Sequence, residues 1–450
     1  MRSACSRSPF PIDYQPDAST LEKIADALRS VPRAAYSAPH DYPNSIAAYE
    51  SAPLTERERP AFDRLRLYVH IPFCRYHCTF CYFAVRVGSS PALMRRYVEA
   101  VIKELRWIAT GTPLSQLYVG GGTPTALAPE LLDEILGEIF ARTTPHGTSV
   151  HTVEASPETI TPEHIAILKR HGVGRVSMGV QSLDPDVLGK VRREQTLEQA
   201  LAACDLLVGS GLIVNADLIY GLPGQSEETF WSDMSAVAAR GVPAFTVYSL
   251  RLNERTTVAR MLEDHERLDL ARLMRWREVV KRCAEELGYT QTRWHTFKRL
   301  ESSARKHEWL PTFNDTMSGH QLGAGMSARS QLGYTVYRNY DRLEGYMNRI
   351  ESGQSPVEQV FPMTVPDRKT QFVARSLGDG KPLERSRYER VFGGAVDEDY
   401  RDVIERLVRG GLVVDDGERL GVSETGKLLY DLVALAFYPK PSRPTFSSTP

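Results

Sequence analysis

The chain has 450 residues, 42% of them hydrophobic, which is enough for two or three folding units that share buried surface. Its 55 Lys and Arg residues balance 56 Asp and Glu residues, so no net field favours nucleic acid or an anionic membrane surface. Three of the six cysteines lie between residues 74 and 81. This clustering is typical of metal ligands in a reducing compartment and not of a disulfide framework.

Residues 1–60 are rich in Pro, Ser and Ala and are predicted to form an N-terminal extension with one short helix around residues 20–30. The segment 1–20 lacks the apolar core of a secretory signal, and no run of about 18 or more apolar residues occurs in the chain. We therefore expect a cytoplasmic protein without a membrane partner.

Residues 61–300 alternate short apolar runs with amphipathic helical patterns. The runs are "LRLYVHI", "LSQLYVGGG", "SVHTVEAS", "GRVSMGVQS", "LIVNADLIYGLP" and "AFTVYSL". Strands that alternate with helices at this spacing predict parallel βαβ units. The sequence thus predicts an α/β fold, a partial (β/α)6 barrel whose functional residues follow the strand ends.

The remainder of the chain is predicted as two parts. Residues 301–365 are expected to complete the barrel and to provide a linker, and residues 366–450 a C-terminal module that resembles a winged helix. Its wing carries Asp415, Asp416 and Glu418, which would repel phosphates. A packing or substrate-covering role is favoured over nucleic-acid binding.

The stretch "HIPFCRYHCTFCYF" brings Cys74, Cys78 and Cys81 together after the first predicted barrel strand. Zinc sites usually complete a tetrahedron, so a Cys3His zinc site with His70 or His77 is one interpretation. An iron–sulfur cubane is the other, because three thiolates would leave one iron open for a cofactor or substrate.

The CxxxCxxC spacing, with Phe80 before the third cysteine, resembles the signature of radical S-adenosylmethionine (SAM) enzymes. Further segments, from about residue 65 to 438, resemble the oxygen-independent coproporphyrinogen III oxidase (HemN-like) branch. They are "LYVHIPFC", "YVGGGTPT", "VEASPETI", "RVSMGVQSLD", "DLIYGLPGQSEETF" and "LGAGMSARS". The resemblance implies a [4Fe–4S] cluster on the three cysteines, with SAM on the open iron as the source of a 5′-deoxyadenosyl radical.

The resemblance also implies two sets of SAM contacts. Residues that match those holding the cluster-bound SAM are Tyr68, Gly121 and Glu154. Residues that match contacts of a second SAM are Phe80, Gly122, Thr123, Gln181, Arg193 and Asp217. The expected cofactors are therefore the cluster and two SAM molecules.

The sequence differs from the motifs of this branch at two places, and these differences affect the function that we expect. Phe83 stands where the oxidase has a further cysteine, and Phe313 and Met317 replace residues of a motif found in the related haem chaperones. The sequence is then most similar to class C radical SAM methyltransferases and cyclopropane-forming enzymes. This implies transfer of a one-carbon unit from the second SAM to an sp2 carbon, the alternatives being the porphyrinogen oxidase and a haem-binding or haem-degrading protein.

Candidates for proton transfer in such a reaction are Tyr82, Glu154 and His295. The expected partners are an unsaturated or aromatic small molecule and an electron donor such as flavodoxin or ferredoxin, but not nucleic acid. We expect the chain to be a monomer.

Overall fold

The fold is taken from a computed structural model that describes residues 9–32, 50–51, 64–147, 150–252, 256–263, 267–299, 320–378 and 380–439. The strands are β1 (Glu50–Ser51), β2 (Leu65–Ile71), β3 (Phe73–Cys74), β4 (Arg86–Val87), β5 (Thr112–Gly121), β6 (Thr143–Pro145), β7 (Thr152–Ala155), β8 (Arg175–Gln181), β9 (Ile213–Tyr220), β10 (Ala244–Ser249), β11 (Tyr289–Arg293), β12 (Thr296–Arg299), β13 (His320–Ala324), β14 (Arg329–Leu332), β15 (Thr335–Asn339), β16 (Val357–Pro362), β17 (Leu383–Glu384), β18 (Val413–Asp415) and β19 (Arg419–Val422). The helices are α1 (Ala18–Ala27), α2 (Pro91–Leu105), α3 (Pro129–Arg142), α4 (Pro162–Arg170), α5 (Pro185–Lys190), α6 (Leu197–Gly209), α7 (Glu227–Ala239), α8 (Thr257–Met261), α9 (Leu270–Glu286), α10 (Leu343–Glu351), α11 (Val365–Gly378), α12 (Arg385–Phe392), α13 (Val396–Arg409), α14 (Glu424–Lys427) and α15 (Tyr430–Ala436).

The predicted partial barrel is confirmed. Strands β2, β5, β7, β8, β9 and β10 pair in that order, and every neighbouring pair is parallel. Their continuous apolar runs suit strands that are covered on both faces. The register places Glu154 beside Ser177 on the next strand, and Gly179 beside Asp217. Polar side chains from neighbouring strands therefore converge at the carboxyl ends.

Local capping explains where several barrel helices begin. Thr196 and Gln199 form a reciprocal capping box at the start of α6, and the side chain of Ser226 caps α7. Each cap satisfies backbone N–H groups that the first helical turn leaves without partners. The two caps therefore define where the helices that follow β8 and β9 begin.

Further strands extend both edges of the barrel sheet. Strand β12 pairs with β10 at one edge, and β13 pairs in parallel with β2 at the other, followed by β14, β15 and β16. The segment predicted to complete the barrel and provide a linker thus holds four strands from residue 320 onward. Residues 301–319, with Phe313 and Met317, lie outside the described residues.

The C-terminal module has the order helix, strand, two helices, two strands and two short helices, with β17, β19 and β18 in one sheet. This is the winged-helix-like topology expected from the sequence. Helix α13 packs against α1 of the N-terminal segment, where Arg406 Nη2 donates to Ser30 Oγ at 3.4 Å. Asp397 and Asp415 both pair with Arg385. The module therefore uses these acids for internal contacts.

Membrane-spanning helices were sought among the described residues. None of those helices is both long enough and apolar enough to cross a bilayer.

The "LGAGMSARS" segment is fastened to the barrel through a buried carboxylate on α2. Glu104 accepts hydrogen bonds from Gly325 N at 2.7 Å, Asn339 Nδ2 at 2.9 Å and the Tyr346 hydroxyl at 2.7 Å. Gly325 has φ +98°, and a Cβ there would lie 2.6 Å from the carbonyl oxygen of His70. Only glycine allows this close approach to the end of β2.

We expect Gly325→Ala to lower the free energy of unfolding by more than about 2 kcal/mol, because it combines backbone strain with a clash. Gly333→Ala is the matched control, since that residue has φ +59° but nothing within 4 Å of an added Cβ. Its expected cost is about 1 kcal/mol. Urea unfolding of both variants measures the difference, and equal losses would contradict the packing argument.

Candidate active site

One cavity of about 280 Å³ opens at the carboxyl ends of the barrel strands. The sequence-predicted residues that line it are Cys74, Cys78, Phe80, Cys81, Tyr82, Gly121, Gly122, Thr123, Glu154, Gln181, Arg193 and Asp217. Tyr68 and His295 do not line it. The motifs that were separate in the sequence therefore meet in one place.

The cysteine loop is closed at its base by short-range pairing. Strand β3, which contains Cys74, pairs with β4 beyond the loop, and Arg86 N donates to Pro72 O at 2.6 Å. Within the loop, Cys81 N donates to Cys78 O at 3.1 Å. Thr79 N also reaches Val191 O at 3.0 Å. These bonds hold the three thiols on the cavity wall.

His70 ties the two ends of this loop together. Its Nε2 lies 2.9 Å from the carbonyl oxygen of Ala84, so Nε2 donates. Nδ1 then accepts from the Tyr68 hydroxyl at 3.0 Å. Burial lowers the pKa of His70 to about 4, which keeps the imidazole neutral. Tyr68 thus acts on the loop through His70 and not from the cavity surface.

The thiols lie in surroundings that disfavour bare thiolates. Burial raises the pKa of Cys74 to about 11 and that of Cys81 to about 12. Arg193 Nη1 donates to Cys78 Sγ at 3.7 Å and opposes the rise that burial causes in the pKa of Cys78. Positive charge from bound iron is what would deprotonate all three.

Of the two histidines considered as a fourth zinc ligand, His70 is not available to a metal ion. Both ring nitrogens of His70 are already hydrogen-bonded, whereas His77 lies exposed on the cavity rim. Within the described part of the chain, no group of three or more His, Cys, Asp or Glu side chains is arranged to hold a single metal ion.

Glu154 is positioned by β5, the neighbouring strand. Its Oε1 accepts from the Tyr118 hydroxyl at 2.6 Å, and its Oε2 accepts from Gly121 N at 3.0 Å. A Cβ on Gly120 would lie 2.6 Å from Oε2, and one on Gly121 would lie 2.5 Å from the His70 ring. The glycine run therefore lets the backbone approach both side chains. Burial raises the pKa of Glu154.

Arg193 lies between the cysteine loop and the ends of β8. Its Nη2 donates to the carbonyl of Gly179, and its Nε donates to Gln195 Oε1 at 2.9 Å. The guanidinium also lies 5.7 Å from the centre of the Tyr76 ring. These contacts fix its charge beside Cys78.

Asp217 lies in a polar cluster at the strand ends. Ser177 Oγ donates to one carboxylate oxygen at 3.0 Å, and Asn215 Nδ2 donates to the other at 2.6 Å. Burial nevertheless raises the pKa of Asp217 to about 7. A cationic ligand in the cavity would stabilise the ionised form of this carboxylate.

Three buried polar atoms of the cavity lining lack partners. Among the residues that the structure describes, the Tyr76 hydroxyl, Gln181 Oε1 and Ser249 Oγ have no hydrogen-bond partner. Gln181 also holds a positive φ of 69°. Buried polar groups are rarely left unsatisfied, so a polar ligand is expected to contact these atoms.

The mouth of the cavity is aromatic. Tyr82 and Phe83 stack with ring centres 4.7 Å apart and are 39% and 53% exposed. Tyr248 lines the same cavity, although the sequence analysis did not identify it. Arg251 was missed as well; both residues lie at or just after the end of β10, where the strand-end rule would have directed attention.

His295 lies in a neighbouring cavity of about 190 Å³ with Trp294 and Tyr430. Its ring stacks on Tyr248 at 5.5 Å, so Tyr248 lies between it and the cysteine cavity. Burial lowers the pKa of His295 to about 4. Its catalytic assignment, like those of Tyr82 and Glu154, stays a prediction.

Comparisons with known proteins match this chain to the radical SAM superfamily over residues 68–237. The haem chaperone HemW of Bacillus subtilis (strain 168) is 27% identical over 379 residues, covering 82% of this chain and 98% of that protein. The oxygen-independent coproporphyrinogen III oxidase of Bradyrhizobium diazoefficiens is 26% identical over 401 residues, covering 84% of this chain and 88% of that protein. The solved structure of coproporphyrinogen III oxidase (HemN) from Escherichia coli matches with a TM-score of 0.74 at 24% identity, covering 84% of this chain and 91% of the other. The last match shows a shared fold.

The predicted methyl transfer or cyclopropane formation is wrong. Relatives that match most of this chain are haem chaperones and coproporphyrinogen oxidases, which favours the alternative interpretation. That prediction depended on departures at Phe83 and at residues 313–317. Phe83 is an exposed residue of the cavity mouth, so its identity does not specify one-carbon chemistry, and the other segment lies outside the described residues.

We expect Cys74→Ser, Cys78→Ser and Cys81→Ser each to lose the bound iron and its visible absorbance after anaerobic reconstitution, because each removes one thiolate. Cys204→Ser, at a buried thiol on α6, is the control and should keep the iron. Wild-type iron content in any of the three loop variants would contradict the ligand assignment.

Because burial raises the pKa of Asp217, we expect the free energy of unfolding of the SAM-free protein to depend on pH. A carboxyl whose pKa rises on folding stabilises the fold below about pH 4, and this contribution is lost as the pH rises towards 7. Asp217→Asn should therefore become more stable than the wild type over this window, by on the order of 2 to 4 kcal/mol at pH 8. Asp205→Asn, at the surface, controls for the chemical change. A difference that does not vary with pH would contradict the account.

Proposed function

We propose that this chain, a HemN-like protein of the radical SAM superfamily, acts on a tetrapyrrole that carries carboxylate side chains, in a reaction of the coproporphyrinogen-oxidase type. The observation that carries the proposal is a single cavity that combines the three-cysteine loop, the predicted SAM contacts and an exposed aromatic mouth. The named relatives support a tetrapyrrole as the ligand class.

The residues present fit a [4Fe–4S] cluster with SAM. Cys74, Cys78 and Cys81 would hold the cluster, and Glu154 and Gln181 line the cavity where SAM would lie. When bound and reduced, cluster and SAM together supply a 5′-deoxyadenosyl radical. The unpartnered Oε1 of Gln181 offers an acceptor for a SAM amine or hydroxyl group.

We also propose that a second SAM molecule binds in this cavity. Its predicted contacts all line the same cavity. Burial raises the pKa of Asp217, and a cationic ligand nearby would lower it again and favour the ionised carboxylate. Arg193 would then act mainly on the cysteine loop, because its guanidinium already contacts Cys78 and Gly179. Equilibrium dialysis would count the SAM molecules bound per chain.

The mouth suits a flat, apolar ring. The exposed Tyr82 and Phe83 stack on one another, and Tyr248 offers a third exposed ring at 44%. Exposed aromatic residues at a cavity mouth mark a binding surface, because water solvates them poorly. A tetrapyrrole that covers these rings would also exclude water from the radical.

Haem binding without turnover is the second candidate function. The match to HemW of Bacillus subtilis covers 98% of that chaperone, so no large part of it is missing from this chain. The aromatic mouth would serve a bound haem as well as a porphyrinogen.

An assay with reconstituted, reduced protein tests the two functions together. With a one-electron acceptor added, we expect SAM and coproporphyrinogen III to give 5′-deoxyadenosine, CO₂ and a product in which one or two propionates have become vinyl groups. Each conversion removes CO₂ and two hydrogens, one as the atom taken by the 5′-deoxyadenosyl radical and one as a proton, and passes one electron to the acceptor. Mass spectrometry measures the product. Cys78→Ala should abolish both signals.

Stoichiometric haem binding without loss of CO₂ would instead favour the chaperone function. If coproporphyrinogen is unchanged and haem does not bind, both functions are contradicted. Phe83→Ala should weaken tetrapyrrole binding roughly tenfold, as expected for a lost stacking contact. Val414→Ala, at an exposed wing residue, is its control.

A further inference from the structure

Arg193 presents a fixed positive charge to one of the three cysteines of the loop. Its Nη1 donates to Cys78 Sγ at 3.7 Å. We propose that Arg193 is a positioning residue that raises the reduction potential of the iron–sulfur cluster through this contact. The inference rests on the part of the proposed function that places a cluster on the cysteine loop, and it does not depend on the tetrapyrrole.

The charge of Arg193 is felt at all three thiols. Reduction adds one negative charge to a cluster, and a cation or an N–H donor at a ligand sulfur stabilises that added charge. Cys78 is only 8% exposed, so water screens the guanidinium poorly there. Arg193 also lowers the pKa of Cys74, Cys78 and Cys81, against the burial that raises it. A cluster on these cysteines would therefore lie within its field.

The protein alone holds the guanidinium in place. Nε donates to Gln195 Oε1 at 2.9 Å, and Nη2 donates to the Gly179 carbonyl. Gln195 is itself fixed, because its Nε2 donates to two backbone carbonyls at the end of β8, at 2.6 and 3.1 Å. The Tyr76 ring centre lies 5.7 Å from the guanidinium carbon. Bound SAM is therefore not needed to bring the charge of Arg193 to Cys78.

Glu158 provides a charge of the opposite sign in the same cavity. Its carboxylate raises the pKa of Cys74 and Cys78. One of its oxygens accepts from Ser156 Oγ, which fixes the carboxylate near the end of β7. In the described part of the chain, Arg193 forms no ion pair with an acidic side chain that would cancel its charge. Removing Arg193 and removing Glu158 should therefore shift the reduction potential in opposite directions.

The test is an anaerobic potentiometric titration of the reconstituted protein without SAM, followed by the electron paramagnetic resonance signal of the reduced cluster. We expect Arg193→Met, which lacks the charge and the donor, to lower the ratio of reduced to oxidised cluster at a fixed potential by about tenfold. This ratio corresponds to a fall of about 59 mV for a one-electron couple. Arg193→Lys should lie between, because it keeps the charge but loses the planar fork. Glu158→Gln should raise the potential.

Arg192→Met is the matched control, because the neighbouring Arg192 is exposed and its charge is screened by solvent. It should keep the wild-type potential, and iron and sulfide analysis verifies the cluster in each variant. A wild-type potential in Arg193→Met would overturn the proposal, and it is the result expected if Arg193 only contacts SAM.

Loss of the cluster from Arg193→Met would leave the decision to the other two variants. Wild-type potentials in both Arg193→Lys and Glu158→Gln would then overturn the proposal, whereas shifts of opposite sign would support it. If the wild type itself assembles no cluster, this inference and the proposed function are both overturned.

Discussion

The hydrogen bond from His70 to the Ala84 carbonyl is the constraint on which the site depends. It joins the end of β2 to the residues after Cys81, and the neutral imidazole that it requires is provided by burial. Gly121 and Gly325 both lie against His70, one at the ring and one at the backbone. The cysteine loop, the glycine run and the "LGAGMSARS" segment therefore share one support, and a change in any of them would move the thiols.

The sequence predicts the barrel well because its strands are continuous apolar runs that local pattern reveals. Helix α5 and strands β13 to β16 were not resolved from the sequence, since they are short and the strands pair with neighbours distant in the chain. The cysteine loop was identified from its spacing, together with its position after the first predicted strand and the glycine motif that follows. Tyr248 and Arg251 belong to no motif, and their place at the end of β10 was the only sequence signal for them.

The prediction of methyl transfer or cyclopropane formation was wrong because it was based on the identity of a few single residues. Phe83 was taken as evidence against porphyrinogen chemistry, yet it lies exposed beside Tyr82 at the cavity mouth. His295 lines the neighbouring cavity and stacks on Tyr248, and its catalytic assignment stays a prediction. The charge and shape of the whole cavity say more about the ligand than any single residue does. Cations lie on the cysteine loop and at Arg251, acids lie on β7 and β9, and aromatic rings lie at the mouth.

The central claim is that the radical formed in this cavity takes a hydrogen atom from a tetrapyrrole side chain. The most direct measurement uses coproporphyrinogen III deuterated at the propionate carbons next to the ring, with unlabelled SAM and the reduced holoenzyme. The account predicts deuterium in the 5′-deoxyadenosine, detected by mass spectrometry. Unlabelled 5′-deoxyadenosine from that substrate, together with deuterium transfer from methyl-deuterated SAM, would contradict it.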